Sequence, residues 1–376
     1  MPMIARNPNP ALTSGVRRRY HCAMPPHPSR RPDASPPRRP GASPPRRPGE
    51  GRGPFVTLLA RSASLLLLAT HLGHATTLPL PEHPDDNLVG ALRTVTVKGK
   101  DTLLDIARRN GLGYTEIVSA NPTLDPWVPG VGSHVLLPTR FILPEGERRG
   151  IVLNLAQMRL FYFPEPRNGE KPVVITHPIG VGVEYGATPL GETRIVRKAA
   201  DPTWYPPKGV RERRAADGVI LPEKVPPGPS NPLGTHALYL GFAEYLIHGT
   251  NRPWGIGMRV SSGCIRMYPE SIIALFPRVP VGSPVRIVDR PWAVGSERGI
   301  PYVQVFSRPR LEAGVDWPDS LLDHTPLVRA LSERVARGGV DWDRVMKATE
   351  DRLGVPLPVS PKSPSLEMLI ERVEPR

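Results

Sequence analysis

Two side chains of this sequence have the types that nucleophilic catalysis needs: Cys264 and, sixteen residues before it, His248. A thiol becomes a strong nucleophile at neutral pH when a neighbouring imidazole takes its proton, because the thiolate is the reactive form. Histidine titrates in the range that this transfer needs and can then protonate a leaving amine. The pair is therefore a candidate nucleophile and base. The alternative is a buried cysteine and a core histidine.

The residues beside the pair would contribute backbone groups. Gly263 has no Cβ, so the chain can turn tightly there and bring the N–H groups of Gly263 and Cys264 close to a developing oxyanion. The motif contains no Asp or Asn to orient the imidazole, and the Gly249 carbonyl is the expected substitute. A zinc site is disfavoured because two ligands are too few. A papain-like protease is disfavoured because its Cys precedes its His.

Short β-strands are predicted around the pair. They lie between Gly- and Pro-rich turns at 151–155, 159–163, 173–175, 193–196, 237–240 and 285–288. Such spacing favours an all-β sandwich or barrel. After Cys264 the pattern changes, and Pro269 to Phe276 predicts one helix. Its apolar residues available for the core are Ile272, Ile273, Leu275 and Phe276.

The chain from about 148 to 289 resembles the catalytic domain of the L,D-transpeptidases, the YkuD family. The resemblance rests on His248-Gly249-Thr250 and on the run Ser-Ser-Gly-Cys-Ile-Arg-Met from Ser261 to Met267. Further motifs at 188–191, 202–204, 227–229, 231–234 and 255–257 extend it. The fold that it implies is a mainly β, sandwich- or barrel-like catalytic domain with one helix after the nucleophile.

The resemblance also implies a reaction. Cys264 would attack the diaminopimelate carbonyl of a peptidoglycan tetrapeptide stem and expel the terminal D-Ala, with His248 as base and then acid. The Gly249 carbonyl would orient His248. The acyl acceptor stays open: an amine of a second stem gives a 3→3 cross-link, and a lysine of an outer-membrane lipoprotein gives an anchored lipoprotein. Water would make the enzyme an L,D-carboxypeptidase.

Three more residues are implied as substrate contacts: Ser262, Arg266 and Thr250. A guanidinium forks onto carboxylates, which makes Arg266 a candidate for holding a substrate carboxylate, and its alternative is a structural ion pair. Many family members carry histidine where this chain has Ser262, a departure that leaves the nucleophile intact. The reaction needs no metal and no organic cofactor.

A small β-α-α-β module is predicted at 93–140. Its strands are expected at 94–97 and 134–137 and its helices from Leu103, capped by Asp101, and over 115–120. The module resembles LysM in Asp101-Thr102-Leu103, Ile106-Ala107 and Ala120-Asn121-Pro122. That resemblance implies binding of peptidoglycan glycan, with Asp101, Thr102 and Asn121 as candidate contacts. The alternative is a packing domain without a ligand.

The first 92 residues predict export. Residues 1–54 are a Pro- and Arg-rich leader, expected to be disordered and to stem from a start codon upstream of the one used. A basic arm for nucleic acid or anionic lipid is the alternative. Residues 55–75 predict a signal peptide cleaved after about Ala75, hence a periplasmic location. Residues 76–92 are expected to be a linker.

The charge of the chain is concentrated in that leader. The net charge is +14, but residues 1–75 carry twelve Arg and only two acids, so the remainder is only mildly basic. Nucleic acid is therefore not the expected partner. The other cysteine, Cys22, also lies in the leader, which leaves Cys264 as a single thiol in the exported chain.

The segment 290–376 is predicted to be a C-terminal extension with helices. Tyr302 to Phe306 predicts a strand that adds to the catalytic sheet, and 327–335 and 341–353 predict two amphipathic packing helices. A short helix is expected at 366–373. The competing functional class for the whole chain is a non-catalytic cell-wall binding protein, in which the β-domain is only a scaffold.

Overall fold

The computed structural model describes residues 76–167, 169–182, 188–261, 263–307, 324–334 and 339–371. The predicted leader and signal peptide lie outside these residues, as does Ser262. The strands are β1 (Thr76–Pro79), β2 (Leu88–Gly90), β3 (Arg93–Thr96), β4 (His134–Leu137), β5 (Arg140–Ile142), β6 (Gly150–Asn154), β7 (Arg159–Phe163), β8 (Val173–Pro178), β9 (Val181–Gly182), β10 (Gly191–Ala200), β11 (His236–Leu240), β12 (Leu246–His248), β13 (Arg259–Ser261), β14 (Ile265–Arg266), β15 (Pro284–Val288), β16 (Trp292–Glu297), β17 (Ile300–Val305) and β18 (Leu357–Pro358). The helices are α1 (Leu103–Arg109), α2 (Tyr114–Ala120), α3 (Lys208–Ala216), α4 (Pro269–Leu275), α5 (His324–Arg334), α6 (Trp342–Asp351) and α7 (Leu366–Glu371).

A nine-stranded sheet carries the candidate catalytic residues. Its order is β1-β8-β7-β6-β15-β10-β11-β12-β14. The pairs β6–β15 and β12–β14 are parallel and the other neighbours antiparallel. Every residue of β6 and β7 is buried, which requires that both faces of the sheet be covered. The expectation of a mainly β catalytic domain is confirmed.

The two faces of this sheet have different covers. Leu153 and Leu160 pack on one face with Ile272 and Leu275 of α4. Phe161 and its neighbours pack on the other face with residues of α1 and α2, namely Leu103, Ile106, Ala107 and Ile117. The β-α-α-β module thus shares a hydrophobic core with the catalytic sheet.

A buried ion pair joins the same two parts. Arg159 of β7 has no exposed surface, and its guanidinium donates to both carboxylate oxygens of Glu116 on α2 at 2.6 and 2.8 Å. The same guanidinium donates to Thr176 Oγ1 and to the Gly111 carbonyl. It also stacks on the Phe141 ring at 4.2 Å. Such a bidentate pair orients the module on the sheet.

The module has the predicted element order, with β3 and β4 paired antiparallel. One detail of the prediction is wrong. Asp101 does not cap α1, because Thr102 occupies the N-cap and forms a capping box with Asp105. Asp101 pairs instead with Arg109, the last residue of α1.

Residues 76–92 are not a linker. β1 pairs with β8 at the edge of the large sheet, and β2 pairs with β5. Leu78, Leu88 and Val89 are buried in these strands. The expected helix after the nucleophile is present, although Ile273 faces solvent and not the core.

The C-terminal extension forms a separate small sheet. β17 pairs with β16 and β18 and does not join the catalytic sheet, which corrects the prediction for 302–306. The turn at Arg298 and Gly299, both at positive φ, joins β16 and β17 in a hairpin, so the backbone hydrogen bonds of β17 are made to its neighbour in sequence. Helices α5 and α6 cover this sheet through Leu327, Leu331 and Val345, as expected of packing elements.

Within the described ranges, no helix has the length and apolar character to span a membrane. Nor do the described residues contain a group of three or more His, Cys, Asp or Glu side chains placed to hold a metal ion.

The Arg159–Glu116 pair predicts a large stability effect. Arg159→Met is expected to lower the free energy of unfolding by about 3–5 kcal/mol, because it leaves the Glu116 carboxylate buried without its partner. Urea unfolding measures the loss. The matched control is Arg109→Met, which breaks the largely exposed pair with Asp101 and should cost only about 0–1 kcal/mol. Equal losses in the two variants would contradict the prediction.

Candidate active site

Parallel pairing of β12 with β14 brings the candidate nucleophile and base together. Ile247 is opposite Ile265 and His248 is opposite Arg266, so Cys264, which immediately precedes β14, falls opposite Leu246, two residues before His248 on β12. The backbone N–H of Met267 donates to the His248 carbonyl at 2.8 Å and extends the pairing. The segment that carries Cys264 is thus held next to the strand that carries His248, although the two residues are sixteen positions apart in sequence.

The turn that presents Cys264 is fixed by two hydroxyl groups. Ser261 Oγ donates to the Cys264 carbonyl at 2.6 Å and accepts from the Gly263 N–H at 3.3 Å. Thr188 Oγ1 donates to the Gly263 carbonyl at 2.8 Å. Gly263 has a φ of +114°, a conformation that favours glycine. The predicted oxyanion donor at Gly263 is therefore engaged with Ser261 and must leave that oxygen to bind an oxyanion.

The His248 imidazole is buried, with 3% of the residue exposed. Its Nδ1 lies 2.6 Å from the Gly249 carbonyl, the contact expected from the sequence. Since Nδ1 donates to this carbonyl, Nε2 of the neutral ring is the atom available as a base. Burial, followed by the charge of Arg266, lowers the pKa of His248 to about 3. The carbonyls of Gly249 and Leu233 act in the opposite direction and raise that pKa.

A close backbone approach brings the second carbonyl to His248. Gly234 has a φ of +65°, and a Cβ there would lie 2.8 Å from the Thr250 nitrogen. Only glycine lets the chain at Leu233 and Gly234 pass so close to Gly249 and Thr250. Asn231 holds the same loop, because its buried side chain donates to the Pro202 carbonyl and accepts from the Leu233 N–H.

The Cys264 thiol is half-buried, and Sγ lies 3.6 Å from the Glu244 carbonyl. Burial raises the pKa of Cys264, although the backbone at Leu246 and the charge of Arg266 act in the opposite direction. The thiol hydrogen bond recorded within the described residues is to Glu244 and not to His248. Burial thus favours the neutral form of both groups, and a proton transfer that accompanies the attack is consistent with this.

Arg266 lies two residues after the nucleophile, on β14. Its Nε is buried without a hydrogen-bond partner among the described residues, and no described carboxylate lies within ion-pair distance. Burial lowers the pKa of Arg266, whereas the Cys264 thiolate would raise it. The structural ion pair that was the alternative role for Arg266 is not found in the described part of the chain.

The remaining predicted contacts occupy structural positions. Thr250 is buried and its Oγ1 accepts from the Arg252 N–H. Asn121 is buried, donates to the carbonyls of Ile117 and Leu136, and accepts from the Leu136 N–H. Thr102 caps α1 and Asp101 pairs with Arg109, whereas Ser262 lies outside the described residues. Roles of these residues in substrate or glycan binding stay predictions.

Sequence reasoning missed three residues around the thiol. They are Ser261 and Thr188, which hold the nucleophile turn, and Glu244, whose carbonyl faces Sγ from a backbone with φ of +69°. Hydroxyl side chains commonly bond to nearby backbone in turns, so Ser261 beside Gly263 carried a local signal. Thr188 belongs to the motif at 188–191, which assigned it no role at the thiol, and Glu244 is distant in sequence and carried no signal.

The comparisons with known proteins agree with this chemistry. Residues 148–287 match the model of the YkuD family, the L,D-transpeptidase catalytic domain. The probable L,D-transpeptidase ErfK/SrfK of Salmonella typhimurium is 39% identical over 308 residues, which cover 80% of this chain and 96% of that protein. The probable L,D-transpeptidase YcfS of Escherichia coli is 38% identical over 291 residues, covering 76% and 88%.

One more relative and one solved structure are similar over shorter segments. The putative L,D-transpeptidase YkuD of Bacillus subtilis is 30% identical over 196 residues, or 52% of this chain and 98% of that protein. The NMR structure of the catalytic domain of the Enterococcus faecium L,D-transpeptidase shares 20% identity over 38% of this chain and 99% of that chain, with a TM-score of 0.28.

The raised pKa of Cys264 predicts the pH dependence of its alkylation. Iodoacetamide reacts with the thiolate, so the rate is expected to rise with pH to a midpoint above about 8.5, the value of free cysteine. The midpoint is measured by following alkylation with mass spectrometry over a range of pH, and the thiol of interest is Cys264. The measurement is made in the Cys22→Ser variant, so that the other cysteine does not react. A midpoint near neutrality would show instead a preformed thiolate–imidazolium pair.

Proposed function

Because the chain belongs to the L,D-transpeptidase family, we propose that it is the cysteine acyltransferase that its site geometry supports, with Cys264 as nucleophile and His248 as base. The family acts on peptidoglycan. The observation that carries the assignment is the β12–β14 pairing, which places the strand ending at His248 next to the strand that follows Cys264, the only thiol among the described residues, while His248 Nδ1 is held by the Gly249 carbonyl. The donor substrate in this proposal is a tetrapeptide stem.

Acylation follows from the two neutral groups. Cys264 Sγ forms a bond to the diaminopimelate carbonyl as its proton passes to His248 Nε2. The tetrahedral oxyanion is held by backbone N–H groups at Cys264 and Gly263. Collapse breaks the bond to D-Ala, whose amine leaves with the proton from His248. The product is a thioester on Cys264 and free D-Ala.

The imidazolium formed in this step has matched acceptors. The Gly249 carbonyl accepts from Nδ1, and it and the Leu233 carbonyl favour the protonated ring. The low pKa of His248 favours release of the proton, and the two carbonyls stabilise the imidazolium while it exists. Both properties suit a base that holds the proton only briefly. Arg266 is proposed to bind a stem carboxylate, because its buried Nε is without a described partner.

The thioester is resolved by an amine in this proposal. The acceptor amine loses its proton to His248 and attacks the thioester, and the thiol is regenerated with that proton. A diaminopimelate side chain gives a 3→3 cross-link and a lipoprotein lysine an anchored lipoprotein. Water as acceptor would give an L,D-carboxypeptidase. The proposed location is the periplasm, on the strength of the signal-like sequence at 55–75.

The β-α-α-β module is proposed to bind the glycan of the same polymer. An exposed aromatic side chain supports this role: Trp127 is 55% exposed and sits beside Val128, which is also exposed. The Leu103 N–H donates to the Pro126 carbonyl, so this loop lies against the start of α1, next to Asp101 and Thr102. Exposed Trp beside polar groups suits the faces and hydroxyls of a sugar.

A product assay tests the enzymatic proposal. The full chain is incubated with a disaccharide-tetrapeptide that contains diaminopimelate, alone or with a lysine peptide, and the products are read by mass spectrometry. The expected result is loss of D-Ala with a joined product. Cys264→Ala should abolish it, and His248→Ala should slow it by about 10²–10⁴-fold as the loss of a general base. Arg266→Met should raise KM more than it lowers kcat.

The other outcomes of this assay identify the alternatives. D-Ala release without a joined product would identify a carboxypeptidase. An unchanged tetrapeptide, from a folded chain that still sediments with peptidoglycan, would support the non-catalytic binding protein. Equal activity of Cys264→Ala and the native chain would remove Cys264 from the reaction.

Sedimentation with purified peptidoglycan tests the module. Trp127→Ala is expected to weaken binding about tenfold, which corresponds to about 1.4 kcal/mol. The matched control is Trp342→Ala on α6, an exposed tryptophan of the C-terminal extension, which should bind like the native chain. Unchanged binding by Trp127→Ala, or equal losses in both variants, would argue for a packing module without a ligand at this loop.

A further inference from the structure

The start of α2 is capped by the catalytic domain. The first N–H groups of a helix have no partner within the helix. Here the Tyr114 N–H donates to the Ile256 carbonyl at 3.0 Å, and the Thr115 N–H donates to the Gly257 carbonyl at 3.2 Å. Thr115 Oγ1 donates to that same Gly257 carbonyl at 2.6 Å. Three donors of the module therefore hold two consecutive carbonyls of the catalytic domain.

Two glycines allow this contact. A Cβ on Gly113 would lie 2.7 Å from the Gly257 Cα, and a Cβ on Gly257 would lie 2.2 Å from the Tyr114 nitrogen. Gly257 also has a φ of +84°, which favours glycine. The backbones of α2 and of the segment at Ile256 and Gly257 thus touch directly, with no side chain between them to absorb a shift.

The segment that α2 contacts, Ile256 and Gly257, leads directly to the nucleophile. From Gly257 the chain continues through β13, which pairs with β9, to Ser261, whose hydroxyl bonds to both Gly263 and Cys264. The Gly257 N–H donates to the Ile179 carbonyl at 3.0 Å. Six residues therefore separate the module's contact from Cys264, and of those that the structure describes, Met258, Ser261 and Gly263 are hydrogen-bonded.

A second contact grips the chain after the nucleophile. Arg108 of α1 donates to both carboxylate oxygens of Glu270 on α4 at 2.8 and 2.9 Å. The Tyr268 hydroxyl donates to the Leu112 carbonyl at 3.2 Å. The module thus holds the nucleophile segment on both sides, at 256–257 and at 268–270.

From these contacts we propose that the β-α-α-β module positions the nucleophile, and that Thr115 is a positioning residue for Cys264. The proposal rests on the assignment of Cys264 as nucleophile in the proposed function. It assigns the module a role in catalysis that is separate from any glycan binding. A hydroxyl on the module determines where the thiol stands, because β13 is paired with β9 and the Ser261 hydroxyl ties the end of β13 to Gly263 and Cys264, so a displacement at Gly257 is passed on.

The test removes the hydroxyl and keeps the shape. Thr115→Val in the full chain is expected to lower kcat about tenfold, as a small misplacement of a reacting group does. KM should stay within about twofold, because no substrate contact is removed. The pH midpoint of Cys264 alkylation should shift from its native value, because the surroundings of the thiol change. Thr115→Ser restores the hydroxyl and should recover both kcat and the midpoint.

The matched control is Thr139→Val. Thr139 belongs to the same segment of the chain, is equally able to donate, and bonds to the Ala91 carbonyl at 2.6 Å, away from the nucleophile. This variant should lose stability in urea unfolding like Thr115→Val but keep the native kcat and alkylation midpoint. Equal effects of the two variants on kcat and on the midpoint, or native values in Thr115→Val, would overturn the proposal.

The alkylation readout separates this inference from the proposed function. It needs no substrate, so it reports on Cys264 even in a chain that transfers no acyl group. A native chain without transferase activity would refute the proposed function, and a midpoint that still shifts in Thr115→Val but not in Thr139→Val would keep Thr115 as the residue that sets the thiol's position.

Discussion

The buried guanidinium of Arg159 is the charge around which the module and the sheet are organised. An unpaired charge in the core is far too costly to be stable, so the fold must deliver a carboxylate to β7. Glu116 supplies this carboxylate. The same carboxylate also accepts a hydrogen bond from the Gly113 N–H at the start of α2. One carboxylate therefore neutralises the sheet's buried cation and fixes where α2 begins. The contacts of Tyr114 and Thr115 with Ile256 and Gly257 follow from that starting point.

Burial also decides the chemistry of the site. Desolvation disfavours charge on both reacting groups, which raises the pKa of Cys264 and lowers that of His248. Compensation for these charges is present in the free site but is smaller than the effect of burial. The carbonyls of Gly249 and Leu233 favour the imidazolium, and Arg266 favours the thiolate while opposing the imidazolium. Burial is therefore the largest cause of both pKa shifts.

The parts of the structure that sequence could predict are the local ones. Local sequence patterns predicted three strands of the large sheet (β6, β7 and β15), helix α4 and the contact between His248 and Gly249. All of these depend on residues that are close in sequence. The strand at 300–305 was also legible, but its partner was not, because strand propensity does not specify a neighbour. β1 was missed since only Leu78 among its residues is buried.

Long-range contacts were not predictable from one sequence. Arg159 and Glu116 are 43 residues apart, and Thr115 and Gly257 are 142 apart. Nothing in the local pattern of Thr115 distinguishes it from Thr139, whose hydroxyl bond is equally short. The two threonines differ in the segment that each hydroxyl binds: Thr115 binds Gly257, ahead of the nucleophile, and Thr139 binds Ala91. This difference is visible only in the fold. For the same reason Ser261 was readable as a turn residue, whereas Thr188 was not.

Direct docking of the module has a consequence for the substrate. A flexible linker would let a glycan-binding module present many stems to the thiol, at an effective concentration that depends on its length. Here a shared hydrophobic core, two Arg–Glu pairs and backbone hydrogen bonds join the module to the sheet, so the distance from the Trp127 loop to Cys264 is set by the fold. A stem peptide is tethered to its glycan strand. A protein that holds the strand at one point and reacts at another then favours stems whose tether spans that distance and excludes those that cannot reach. If the module binds glycan as proposed, it selects substrates by geometry, through the same contacts that are proposed to position the nucleophile.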